Sequence, residues 1–258
     1  MENKIQLPDG FIDLKINENL SKFRSEHKAE YKFIRETKKL FDKAQQKFIG
    51  QTVTKNEMYV ATSLISLSKL FQSAVLLFER GLLEPGNIIM RSCLELSFKI
   101  VELLKNKKFV NSMIKEQYFE AKNTLEIIND NKLYDMVPKE TVEDLLNKPQ
   151  IKKSKFIKLS PYKMAKKNDL LEAYILYRLY CNDSHQSIAT LSETQIFEDD
   201  GVRLNGNLRL EEFSNSIYML ISIVLVPFPT LIEKYSTDNE LKKQYESLID
   251  SFKKICEI

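Results

Sequence analysis

The sequence predicts an all-α fold: a helical bundle around four long helices, with additional helices at the N- and C-terminal ends. Three observations carry that expectation. Only 6 glycines and 7 prolines occur in 258 residues, well under the usual roughly 7% and 5%, which disfavours turn-rich β folds and glycine-rich nucleotide folds. Apolar residues, 43% of the chain, recur at helical spacing over long stretches. Breaks such as Gly81 and Glu84-Pro85-Gly86 separate those stretches.

Residues 1–19 read as a polar, irregular lead-in. From Leu20 to Ile49, the residues Phe23, Tyr31, Ile34, Phe41 and Phe48 recur among dense lysines and glutamates, giving a partly exposed amphipathic helix closed by Gly50. Residues 56–80 are more apolar, with Val60, Leu64, Leu67, Leu70, Phe71, Ala74, Leu77 and Phe78 on a broad buried face. Pro85 suits the first turn of a helix over 85–106. A further helix spans 110–129, and a short acidic one follows Pro138 through Glu140, Glu143 and Asp144, which read as its acidic first turn and not as a metal site.

The clearest shift in composition lies between Ile151 and Lys167, with seven lysines and no acidic residue. Such a run reads as a solvated loop or linker. Asp169 then caps a helix over 169–192. The turn signals Asp199-Asp200-Gly201 and Asn205-Gly206-Asn207 point to a small β-hairpin near 194–208. Helices over about 210–235 and 238–256 finish the chain. The organisation expected is an N-terminal helical extension, 1–55, and a bundle domain, 56–258.

Composition also sets limits on function. A net charge of +3 does not by itself mark a nucleic-acid-binding chain. Cys93, Cys181 and Cys256 are odd in number and widely spaced, which excludes a disulfide framework or zinc module and suggests a reducing, cytoplasmic setting. The start of the chain has no apolar leader. The most hydrophobic stretch, 217–232, contains Pro227 and Pro229 and falls short of the roughly 20 residues a spanning helix needs, so no membrane partner is expected. No cofactor motif or metal-ligand cluster stands out.

Two constellations carry polar chemistry. Arg91 and Glu95 are four apart on an otherwise apolar helix, so they share a face. They read either as a structural ion pair or as a pair that orients a second charged group, and they are expected within reach of the downstream motif helix. That motif is Tyr177-Arg178-Leu179-Tyr180-Cys181-Asn182-Asp183-Ser184-His185. Arg178 and His185 are seven apart, nearly two turns, and share a face if the helix continues. Asn182, Asp183 and Ser184 are weak helix-interior residues, and a break there would bring His185 closer. Imidazole titrates near neutrality and can move a proton; guanidinium offers a planar fork to phosphate. Together they suit metal-free cleavage of RNA, while the plainer reading is a satisfied histidine near an arginine that binds Glu95. His27, among Arg24, Glu26 and Lys28, reads as an exposed surface histidine.

The Arg-x-x-x-Glu helix, followed downstream by Tyr-Arg-x-x-Cys-x-x-x-His-x-Ser-x-x-x-Leu, resembles a bacterial family of helical domains of unknown function whose usual form is close to Tyr-x-x-Leu-Ser-x-x-Val-His. Tyr180, Cys181 and Ser184 stand at its Leu, Ser and Val. More distantly the chain looks like the HEPN superfamily, helical bundles with an Arg-x4–6-His motif, over about residues 56–192. Arg178 and His185 match that Arg and His, and Leu179 stands where Asn, Asp or His usually follows the arginine. The resemblance implies a metal-independent endoribonuclease, a toxin or phage-defence effector, acting as a dimer. His185 and Arg178 would be catalytic, with Arg91, Glu95, Tyr177 and Asn182 in support. Lys152, Lys153, Lys155 and Lys158 would then meet RNA, with Phe156 and Tyr162 available to stack on bases. The rival reading is a non-catalytic helical module that binds a partner protein or a nucleotide and uses the same residues as a buried polar network.

Overall fold

The structure is a computed structural model that describes residues 15–49, 53–147, 159–184, 195–198, 201–204, 210–235 and 239–256. The chain is all-α in its architecture. Where the sequence suggests a lead-in to residue 19 and then one helix, residues 15–46 form α1 (Lys15–Glu26) and α2 (Lys28–Gln46); residues 1–14 and Gly50 lie outside the described residues. They meet at His27, whose backbone leaves the helical region (φ −105°, ψ 42°). Its ring lies 4.1 Å from Phe23 and 5.0 Å from Phe213. His27 is therefore a half-buried member of an aromatic cluster, not a surface histidine.

α3 (Lys55–Phe78) opens with a capping box: Glu57 N donates to Thr54 Oγ1 at 3.3 Å, and Thr54 N donates to Glu57 Oε2 at 2.8 Å. Val60, Leu64, Leu67, Phe71, Ala74 and Phe78 are buried along it, while Leu70 and Leu77, at the edges of that face, are only half-buried. Gly81, at φ 66°, ends this arm in the left-handed conformation glycine adopts without strain. α4 (Leu83–Lys105) begins two residues before Pro85 and packs antiparallel on α3. The two come close at Gly86, where an added Cβ would lie 2.1 Å from Phe78 Cε1.

α5 (Phe109–Asp130) and α6 (Lys139–Leu146) follow. The sequence expectation gave α5 a full share of the core, but its buried residues are only Phe109, Val110, Ala121 and Ile128. The apolar stretch expected to be a buried core helix is one: α9 (Phe213–Leu225) buries Phe213, Ile217, Leu220, Ile221, Ile223, Val224 and Leu225 against α2, α3 and α4. Pro227 then divides the helix expected over 210–235, and α10 (Phe228–Lys234) and α11 (Asn239–Cys256) complete the chain. β1 (Gln195–Glu198) and β2 (Gly201–Leu204) pair antiparallel, with Glu198 opposite Gly201.

The expected lysine loop also changes. Its last seven residues form α7 (Pro161–Lys167), started by Ser160, whose Oγ accepts from Lys163 N, and by Pro161 in the first turn. Residues 151–158 lie outside the described residues. Asp169 does not cap the next helix: it sits at φ 59° in the turn, a conformation short Asx side chains tolerate, and α8 (Leu171–Ser184) begins two residues later.

Long-range polar anchors fix this arrangement. The buried Glu79 carboxylate takes a two-pronged contact from Arg24 (Nε to Oε1, 2.9 Å; a terminal nitrogen to Oε2, 3.0 Å) and a hydrogen bond from the Tyr31 hydroxyl. Glu102, buried on α4, accepts from Lys167 Nζ, from Asn168 Nδ2 at 2.9 Å and from Asn106 Nδ2 at 3.0 Å, tying α7 to α4. Burial pulls this carboxyl upward, but the bonds from Lys167, Asn106 and Asn168 outweigh it and hold Glu102 below the ordinary carboxylate value. Two helical stretches, Lys55–Phe78 and Leu210–Lys234, are long and apolar enough to cross a membrane by length and composition, including the one the sequence reading took as too short. Both bury one face in the core described here.

Candidate functional site

The site is organised by the packing of α8 on α4. The inner face of α8 is set by Tyr177 and Cys181, four residues apart and both buried. Arg91 reaches them from α4: its Nε donates to Cys181 Sγ at 3.3 Å and a terminal nitrogen donates to the Tyr177 hydroxyl at 3.3 Å. Its guanidinium also lies over the Tyr177 ring, 5.3 Å from the centroid. Phe98 meets that ring edge-on at 6.2 Å. The hydrogen bond to Cys181 raises the Arg91 pKa further, and burial raises the Tyr177 phenol. Arg91 is thus fixed in place and fully cationic, and it meets the motif helix as the sequence implies.

Glu95 behaves differently from the expected Arg91 partner. Its carboxylate accepts from Lys99 Nζ at 2.9 Å, one turn along the same helix. Both side chains are partly exposed, at 33% and 24%. Arg91 is left to the α8 side chains, because Tyr177 and Cys181 lie across the helix contact and Lys99 satisfies the acid locally.

The outer face of α8 is open. Arg178 and Asn182 are both exposed, and α8 stays helical through Ser184, so the Asn182-Asp183-Ser184 segment does not break it. Among the described residues Arg178 makes no hydrogen bond or ion pair. Leu171, Ile175 and Leu179, spaced by four, form an exposed apolar stripe beside it, 45%, 60% and 58% exposed. His185, Lys152, Lys153, Lys155 and Lys158 lie outside the described residues. So does Phe156. Among the described residues no group of three or more His, Cys, Asp or Glu side chains is placed to hold a metal ion.

One feature escaped the sequence reading. Tyr177 stacks on Tyr174 (centroids 5.7 Å apart, planes 24° apart), and Tyr174 meets Tyr162 of α7 at 5.3 Å. The rings form a ladder from the half-buried Arg91 and buried Tyr177 to Tyr162 at the surface. The i, i+3 spacing of Tyr174 and Tyr177 was visible in the sequence, but the approach of α7 was not. Cys93, also on α4, is fully buried, and burial pushes its thiol up to about 12, so it is a packing residue.

No curated protein and no solved structure matches the chain. Residues 57–202 match a family of unknown function, DUF5677. That span runs from the first turn of α3 through the α4–α8 contact to the hairpin, and it takes in Arg91, Tyr177, Arg178 and Cys181 together. More than half of the sequence is covered, and the chain belongs to the DUF5677 family.

Proposed function

We propose that this chain is a HEPN-like, metal-independent endoribonuclease, working in the cytoplasm as a toxin or phage-defence effector. The observation that carries the reading is Arg178: an exposed arginine that, among the described residues, has no partner, one turn from the stacked tyrosines. A guanidinium with a fold role is normally paired, as Arg24 and Arg91 are. Exposed, and with no side-chain partner among the described residues, Arg178 has the planar fork that suits phosphate.

In the proposed reaction Arg178 holds the scissile phosphate, and the RNA 2′-hydroxyl attacks the phosphorus. His185 takes the hydroxyl proton as the new P–O2′ bond forms. The P–O5′ bond breaks, and the leaving 5′-oxygen takes up a proton from water. The products are a 2′,3′-cyclic phosphate and a 5′-hydroxyl. Arg91, held by Tyr177 and Cys181, positions α8 against α4. The stripe of Leu171, Ile175 and Leu179 supports a homodimer through α8, which would bring a second Arg178 close to the first.

The test is cleavage of single-stranded RNA by purified protein in EDTA, with cyclic-phosphate ends on the product. Cleavage that persists in His185→Ala ends the role given to His185. A folded protein that cuts no RNA, with candidate partner proteins supplied, shifts the reading to a non-catalytic binding module. One observation favours that second reading: Tyr177, Cys181 and Arg91 are already satisfied by one another, as a purely structural polar network would be.

A further inference from the structure

The tyrosine ladder ends at the surface next to the candidate phosphate-binding arginine. Tyr162 is 44% exposed on α7, and its ring meets Tyr174 at 5.3 Å with planes 57° apart. Tyr174 is backed by Tyr177, which Arg91 and Phe98 hold in turn. Arg178 lies one turn beyond Tyr174 on α8, so the two share a face. α7 adds the exposed Lys163 and Lys166, while Lys167 is neutralised by Glu102. These lysines end the run of seven without an acidic residue.

We propose that Tyr162 and Tyr174 form a stacking platform for unpaired nucleobases, with Arg178 and the α7 lysines taking the adjoining phosphates. The substrate class is therefore single-stranded RNA, in which bases are free to leave one another and lie on a ring. The inference rests on the ribonuclease reading for its choice of RNA. The ring surface, the positive charge of Lys163 and Lys166 and the exposed Arg178 are three properties that single-strand binding combines. A duplex keeps its bases stacked inside and presents no face to Tyr162. Tyr174 is half-buried and rests on the buried Tyr177, which limits the side-chain freedom lost on binding.

The experiment is fluorescence anisotropy with a short, labelled, fully 2′-O-methylated oligonucleotide. That probe lacks the attacking hydroxyl, so binding is read apart from cleavage. Tyr162→Ala, at an exposed position, is expected to weaken binding roughly 5- to 100-fold. Tyr162→Phe should bind like the unsubstituted protein, since stacking uses the ring and not the hydroxyl. Tyr162→Ala should leave the salt dependence unchanged, whereas Lys163→Ala and Lys166→Ala should each flatten its slope by about 0.7. Unlabelled duplex should compete poorly. Unchanged affinity in Tyr162→Ala, or equal competition by duplex, overturns the platform even if the protein cuts RNA. Binding that depends on Tyr162 without cleavage of unmodified RNA supports the platform and overturns the ribonuclease reading. No binding of the probe at low salt overturns the platform, and cleavage of unmodified RNA then decides the ribonuclease reading on its own.

Discussion

On the inner face of α8, Tyr177 and Cys181 are buried and closed by Arg91; on its outer face, Arg178 and Asn182 stand in solvent and Tyr174 leads to an exposed ring. The two arginines are chemically identical. Arg91 spends its donors on a hydroxyl, a thiol and a ring face, so it has become part of the fold. Arg178 has none of these partners among the described residues. The contrast teaches that burial and partners, not residue type, separate a charge that builds the molecule from one that can serve a ligand.

The contrast breaks if Arg178 proves structural. Arg178→Ala should lower RNA cleavage by roughly 10²-fold or more, with the melting temperature unchanged in a thermal scan. Arg178→Lys should be impaired nearly as much, because an ammonium keeps the charge and loses the fork. An equal loss of stability would place Arg178 with Arg91. Next in size is Arg24→Ala, expected to cost about 3 kcal/mol in denaturant unfolding, because it strands the buried Glu79 carboxylate. Glu79→Gln should cost less, since the half-exposed Arg24 turns to water.

Arg91→Ala should cost about 1–2 kcal/mol, through loss of the Tyr177 and Cys181 contacts, and should lower activity only in step with stability. Glu102 supplies a pH test. Its folded pKa lies below the ordinary carboxylate value, so its stabilising effect is complete above that value and is lost as pH falls through the folded pKa. Glu102→Gln should flatten that acid limb of the unfolding curve. Smallest is Glu95→Ala, under about 1 kcal/mol, because its partner Lys99 is a partly exposed neighbour on the same helix. A loss of 3 kcal/mol or more there would mean that Glu95 serves Arg91 after all.

Helix class and the bodies of α3, α4 and α5 were legible in the sequence, because apolar spacing and Gly81 are local signals. The Arg91 helix and the Tyr177 helix were also rightly expected to meet. What stayed hidden depended on partners far along the chain. Arg24 and Glu79 are 55 residues apart, and Glu102 and Lys167 are 65 apart, so no window reveals either pair. Asp169 was read as a cap because capping and the left-handed turn favour the same residue type. The share of α5 in the core was overestimated because a periodic apolar face does not say how much of it finds a partner. Tyr162 was named among the lysines, but its meeting with Tyr174 follows from the turn at Asp169, which folds α7 back on α8.

Gly86 turns α4 into a lever. The helix touches Phe78 where it has no side chain, and its working residues, Arg91 and then Glu102, lie progressively farther from that pivot. At about 1.5 Å per residue, Glu102 is roughly 24 Å along the arm. A tilt of about 5° at the pivot would move that end by about 2 Å, enough to pull Glu102 from Lys167 and to carry α7 away from α8. Gly86→Ala should therefore be felt at Tyr162 as well as in the local packing. One added methyl group, at the far end of another helix, would then be read out in how closely the exposed tyrosine meets its neighbour.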